Sequence, residues 1–199
     1  MNVKPLLDFI AKPESGGDYN VVWGSIKSSD RPSRPLVTMT IAEVLAWQDS
    51  IDAKYMSEAA GRYQIMEDTL RPLPPAAGLL SSDLFNEVNQ DKLATALLRR
   101  RGLDKYMVGL ISAETFANNL AHEWASLPLV TGPKAGRSAY AGDGLNNAHV
   151  TVDAYMKAVR AVKSNAPQII ANPTKPTYPT PSLWASIWTA ILQLIKGKR

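Results

Sequence analysis

Prolines and glycines decide where this chain can be helical. Proline lacks the N–H that an interior helical turn needs, and glycine lets a helix end in a left-handed turn. The chain holds 14 Pro and 12 Gly in 199 residues. Between these breaks the apolar residues recur at helical spacing. Leu6, Phe9 and Ile10 make a first short apolar face, closed by Gly16 and Gly17. Thr40-Ile41-Ala42-Glu43 has the pattern of a capping box and opens a helix carrying Val44, Leu45 and Trp47. A short helix through Leu70 stops at Pro72, Pro74 and Pro75. Helix is predicted again over 82–101, with Leu84, Phe85, Val88, Leu93, Leu97 and Leu98 on its apolar faces. Two more follow: 113–126, with Phe116, Leu120 and Trp124 on one face, and 151–163, burying Val152, Tyr155, Met156, Val159 and Val162. Segments 20–24 and 36–40 have strand character and flank a polar, proline-containing stretch, so a small β-hairpin or flap is expected there.

Prolines 167, 173, 176, 179 and 181 change the character of the chain and predict an extended linker over 165–181. Beyond it, 182–199 reads as a Trp-rich amphipathic helix ending in Lys196, Lys198 and Arg199. From 183 to 195 such a helix covers about 20 Å, short of the roughly 30 Å core of a bilayer. Ser186, Thr189 and Gln193 oppose Trp184, Ile187, Trp188 and Ile191, a pattern suited to lying on an anionic membrane, or to docking on the domain or self-associating. The expected organisation is a mostly helical α+β domain (1–164), the linker (165–181) and the terminal helix (182–199).

Composition sets limits on function. With 45% hydrophobic residues the chain can bury a core, and with no cysteine it has neither disulfides nor thiolate metal sites. Its net charge of +4 suits an anionic polymer such as nucleic acid, an acidic membrane surface or a bacterial wall. Lys4 and Pro5 are followed by too few apolar residues before Asp8 for a secretory signal, so synthesis in the cytoplasm without Sec export is expected.

Chemistry points to three loops. Glu14 stands at the end of an apolar helix and is followed by Ser15-Gly16-Gly17-Asp18-Tyr19-Asn20. An acid backed by packed apolar groups has a raised pKa, as a general acid working near neutral pH requires. Gly61-Arg62-Tyr63-Gln64 and Tyr140-Ala141-Gly142-Asp143-Gly144 join glycines to aromatic and polar side chains. Carbohydrate sites use those types, since rings stack on sugar faces and polar groups bond hydroxyl and N-acetyl groups. His122 and His149 have no partner at ligand spacing, so no metal and no cofactor are expected. Trp47, Phe116 and Trp124 are read as core, and Arg99-Arg100-Arg101 as a solvated helix end.

Pro-Glu-Ser-Gly-Gly-Asp-Tyr-Asn (13–20) resembles the catalytic-Glu motif of lysozyme-like lytic transglycosylases. Ser-Glu-Ala-Ala-Gly-Arg-Tyr-Gln (57–64) and Glu-Trp-Ala-Ser-Leu-Pro (123–128) resemble stretches of the bacteriophage lambda endolysin family, in matching order and over about residues 3–163. The resemblance implies a lysozyme-like α+β fold and cleavage of peptidoglycan between N-acetylmuramic acid and N-acetylglucosamine. It implies Glu14 as acid/base. Arg62, Tyr63, Gln64, Glu58 and, across the cleft, Tyr140 are expected to contact substrate. Glu58 departs from the family's usual small or hydroxyl residue, the 131–148 loop is longer, and the linker and terminal helix lie outside the family pattern.

A hydrolase needs a second carboxylate as base or nucleophile. A lytic transglycosylase needs one Glu, because the muramic acid 6-hydroxyl attacks intramolecularly. The Asp and Thr that T-even phage lysozymes carry downstream of their Glu are here Trp23 and Ser29. Asp18 follows Glu14 closely, and Asp30 and Glu58 remain as candidate second carboxylates. The expected activity is a transglycosylase with one catalytic Glu, with a hydrolysing muramidase as the alternative. Rivals of other classes are a non-catalytic glycan-binding or structural virion protein, and a membrane-active helical protein. The expected partners are peptidoglycan strands, an anionic membrane through 183–199 and, for a virion-borne enzyme, other virion proteins; no nucleic acid is expected. The enzyme would act in the periplasm or at the wall, at lysis or at entry.

Overall fold

The computed structural model describes residues 2–142 and 147–164, all within one compact unit that runs over 1–166. The expected linker and terminal helix lie outside the described residues. Among the described residues there are seven α-helices: α1 Lys4–Ser15, α2 Ile41–Ile51, α3 Glu67–Leu70, α4 Glu87–Arg100, α5 Leu103–Met107, α6 Ala113–Ala121 and α7 Val152–Ser164. None of these is long and apolar enough to cross a membrane.

Local chemistry explains the boundaries. α1 stops where Gly16 turns left-handed (φ 66°), its N–H still reaching the Lys12 carbonyl at 3.1 Å. The capping box of α2 forms as expected: Glu43 N–H donates to Thr40 Oγ1, and Thr40 N–H donates to Glu43 Oε2 at 2.7 Å. α4 begins later than its apolar pattern predicts. Asn86 caps it, accepting from Asn89 N–H at 3.0 Å, while the residues before it are used elsewhere. Ile41 N–H donates to the Asp83 carbonyl and Phe85 N–H to the Met39 carbonyl, so 81–85 runs beside the entry to α2. α6 likewise ends at Ala121, and 122–127 folds into turns that bring Trp124 inward.

The expected β-hairpin is absent among the described residues, and only isolated bridges occur. Pro35 leads into a 3-10 turn over Leu36–Thr38 that buries Leu36 and gives the Val37 N–H to Asn20 Oδ1. Those residues therefore cannot present a ladder to 20–24. Val22 instead bridges Ala60, which also bridges Ile65 across the turn at Gly61–Gln64. The partner of the 20–24 segment is thus the Gly-Arg-Tyr-Gln loop.

The core gathers Leu6 and Ile10 of α1, Leu93 and Leu97 of α4, Phe116 and Leu120 of α6, and Tyr155 and Val159 of α7. Tyr106 stacks on Phe116 at 5.0 Å between centroids, and the Tyr155 hydroxyl donates to the Ala117 carbonyl. Trp47, Phe116 and Trp124 are buried as read from their spacing. The last turn of α1 is therefore held on a rigid helical base.

Candidate active site

Glu14 lies one residue before the end of α1 and is half-buried. Ser126, only 6% exposed, donates its hydroxyl to Glu14 Oε1. Burial raises the pKa of Glu14. The Ser126 hydroxyl and backbone, and the nearby His149, act in the opposite direction without reversing it. His149 is itself tied to this corner, since its N–H donates to the Ser126 carbonyl at 2.8 Å. A carboxyl so placed retains its proton above the ordinary carboxylate range and aims it from a desolvated position.

Two hollows flank the segment that carries Glu14. One, of about 530 Å³, is lined by Asp18, Asn20 and Val22 from the following turn and by Arg31, Arg34 and Leu36. The other, of about 540 Å³, is lined by Phe9, Lys12, Pro13, His149 and Val150.

The Gly-Arg-Tyr-Gln loop braces the turn after Glu14. Ser15 Oγ donates to the Arg62 carbonyl at 2.8 Å. Arg62 Nη1 donates to the Gly17 carbonyl at 2.8 Å and Nη2 to Asp8 Oδ1 at 2.6 Å. The guanidinium lies over the Tyr19 ring, 4.7 Å from its centroid. Asp91 Oδ1 accepts from both the Tyr19 and Tyr63 hydroxyls, at 3.1 and 2.6 Å. Burial and Asp91 push the Tyr19 phenol up to about 12 and that of Tyr63 higher still. Gln90, fully buried, donates to the Tyr19 and Phe85 carbonyls and accepts from Arg62 N–H.

These contacts relocate several residues expected to touch substrate. Tyr63 is 1% exposed, a core residue rather than a cleft wall, because its hydroxyl finds Asp91 and its carbonyl accepts from Trp124 Nε1. Gln64 adopts a positive φ of 47° and uses its amide on the Val21 and Gly61 carbonyls, so its side chain is spent holding the turn. Arg62 gives Nη1 and Nη2 to protein partners, while its buried Nε has no hydrogen-bond partner. Glu58 is 5% exposed and accepts from Glu67 N–H at the start of α3. Tyr140 is 45% exposed; its hydroxyl donates to the His122 carbonyl. The Asp143 and Gly144 of that loop lie outside the described residues. Of the candidate second carboxylates, Asp30 accepts from the Tyr55 hydroxyl at 2.7 Å and lies by Lys54, and that hydroxyl holds its pKa low. Asp18 accepts from Asn20 N–H within its own turn. The 123–128 segment marks the place of Ser126 in the sequence, and nothing local marks its hydroxyl as the partner of Glu14.

The family model for endolysins matches residues 11–156, which contain Glu14, the bracing loop and Ser126. The chain belongs to the endolysin family. It is accordingly a phage-type lysin that degrades bacterial peptidoglycan. No curated protein and no solved structure matches the chain. In this endolysin the Glu14–Ser126 pair joins a half-buried acid to a hydroxyl donor, with Pro13 before it lining one hollow and Asp18 after it lining the other.

Proposed function

We propose that this endolysin is a lytic transglycosylase that cuts the β-1,4 bond between N-acetylmuramic acid and N-acetylglucosamine with Glu14 as its one catalytic carboxyl. The observation that carries the reading is the half-buried place of Glu14 at the end of α1, where the Ser126 hydroxyl donates to its Oε1; burial there raises its pKa. The glycan strand would run along the groove of Asp18, Asn20, Arg31 and Arg34. Protonated Glu14 gives its proton to the glycosidic oxygen as the bond to the muramic acid C1 breaks. The resulting carboxylate takes the proton from the muramic acid 6-hydroxyl as that oxygen bonds to C1. Glu14 is protonated again, no water is consumed, and the product is a 1,6-anhydro sugar. Ser126 holds the carboxyl in line through both steps. Asp30 and Glu58 are engaged by Tyr55, Lys54 and the α3 N-terminus, and Asp18 accepts within its own turn close after Glu14, which favours one carboxyl over two.

Mass analysis of muropeptides after digestion of purified sacculi tests this. Anhydro ends are expected. Reducing ends would mean a muramidase, and no products would mean a glycan-binding protein. Glu14→Gln keeps the shape and cannot donate the proton, so it should abolish lysis while leaving the fold intact. Retention of more than about a tenth of the activity would exceed what loss of a general acid allows.

A further inference from the structure

We propose that Arg62 is a positioning residue for the catalytic acid: by bonding Asp8 and Gly17 at once, it locks the turn after Glu14 and so fixes where the Glu14 carboxyl sits. The inference rests on Glu14 as proton donor and reassigns Arg62 from the substrate to the frame that aims it.

The two arms of the guanidinium reach opposite sides of Glu14 in the chain. Asp8 lies in the body of α1, and Gly17 just past its end. A single planar fork thus ties the helix to the turn that leaves it. A lysine ammonium, a point charge on a flexible stem, does not reproduce that fork. The Arg62 backbone takes part too, since its carbonyl accepts from Ser15, the residue next to Glu14. The fork is itself fixed. Its side chain is 13% exposed, lies over Tyr19, and its loop is pinned by Gln90 through the Arg62 N–H. Tyr19 and Tyr63 share Asp91, so the surface under the guanidinium does not give way. Glycines at 16 and 17, with φ of 66° and 94°, leave this turn without side-chain packing of its own. Inside the turn Gly17 N–H donates to Ser15 Oγ at 3.1 Å and Gly16 N–H to the Lys12 carbonyl, and Arg62 adds the tie from outside it. Displacing a reacting group by about 1 Å costs on the order of a hundredfold in rate.

The experiment compares the full-length wild type, Glu14→Gln, Arg62→Lys and Asp8→Asn on soluble glycan strands. It adds the titration of the Glu14 carboxyl by 13C NMR. Glu14→Gln must be inactive; an active variant overturns the acid and the clamp together. With Glu14→Gln inactive, Arg62→Lys is expected to lower kcat about ten- to a hundredfold at unchanged KM. The Glu14 titration should move to lower pH, because a released carboxyl regains water. Asp8→Asn, at an exposed position that keeps the Gly17 bond, should give the same pattern more weakly, and it decides the matter if Arg62→Lys does not fold. An unchanged kcat with only a lower Tm would make Arg62 structural and overturn the proposal, leaving the acid assignment in place. A raised KM at unchanged kcat would return Arg62 to the substrate and overturn it as well.

Discussion

Gly61→Ala is the sharpest test of the bracing loop, because two separate penalties meet at one atom. Gly61 has φ +76°, a left-handed conformation that costs a residue with a Cβ about 1–2 kcal/mol. The new Cβ would also lie 2.9 Å from both Gln90 Cδ and Phe85 Cε1, and closer still to Gln90 Oε1. Gln90 has nowhere to go. It is fully buried, and its amide serves the Tyr19 carbonyl, the Phe85 carbonyl and the Arg62 N–H. Moving it breaks at least one of those bonds and leaves a buried group unpaired, at about 1–3 kcal/mol. Reduced freedom of the unfolded chain returns at most about 1 kcal/mol. The net loss is about 1–4 kcal/mol, a large part of the roughly 5–15 kcal/mol that holds a domain together. In a domain of this size that lowers Tm by about 2–16 °C. Urea unfolding followed by tryptophan fluorescence measures the loss directly. A change under about 1 kcal/mol would refute the close approach of Gly61 to Gln90, and with it the account of how Arg62 N–H is held.

Tyr63→Phe removes only the hydroxyl on Asp91 and should cost about 1.5–3 kcal/mol with KM unchanged; full stability with a raised KM would put Tyr63 back in the cleft. Glu14→Gln should gain stability on the wild type as pH rises. With the folded pKa raised, the native protein binds the Glu14 proton more tightly than the unfolded chain does. The contribution of Glu14 is therefore full below the unfolded value of about 4.3 and is lost as pH rises through the higher folded value. Denaturant midpoints of both proteins between about pH 4 and 7 check the sign, and parallel curves would contradict it. Deleting residues 166–199 should leave a domain that still cuts purified sacculi. If the Trp-rich, basic end serves an anionic membrane, only the full-length chain should bind anionic liposomes, and equal binding by both forms would remove that role.

Sequence alone determined the features whose causes lie within a few residues. Apolar spacing placed the helices of α1, α2, α4, α6 and α7, and the Thr40–Glu43 box and Gly16 set ends to two of them, because caps and left-handed turns act over one turn of chain. The same spacing separated core aromatics such as Trp47, Phe116 and Trp124 from the acid at the helix end. What each polar side chain is for was decided only by the tertiary structure. Ser126 meets Glu14 across 112 residues of sequence, Tyr19 meets Asp91 across 72, and Arg62 meets Asp8 across 54. The strand character at 20–24 was real enough to bridge, yet its partner was Ala60, since Pro35 turned 36–38 into a 3-10 turn. Tyr63 has the composition of a sugar platform, and only the packing of α4 beneath it made it a core residue. A hydrogen-bonding group written in a sequence states what it can bond. The fold, by bringing distant segments within about 3 Å, states what it does bond.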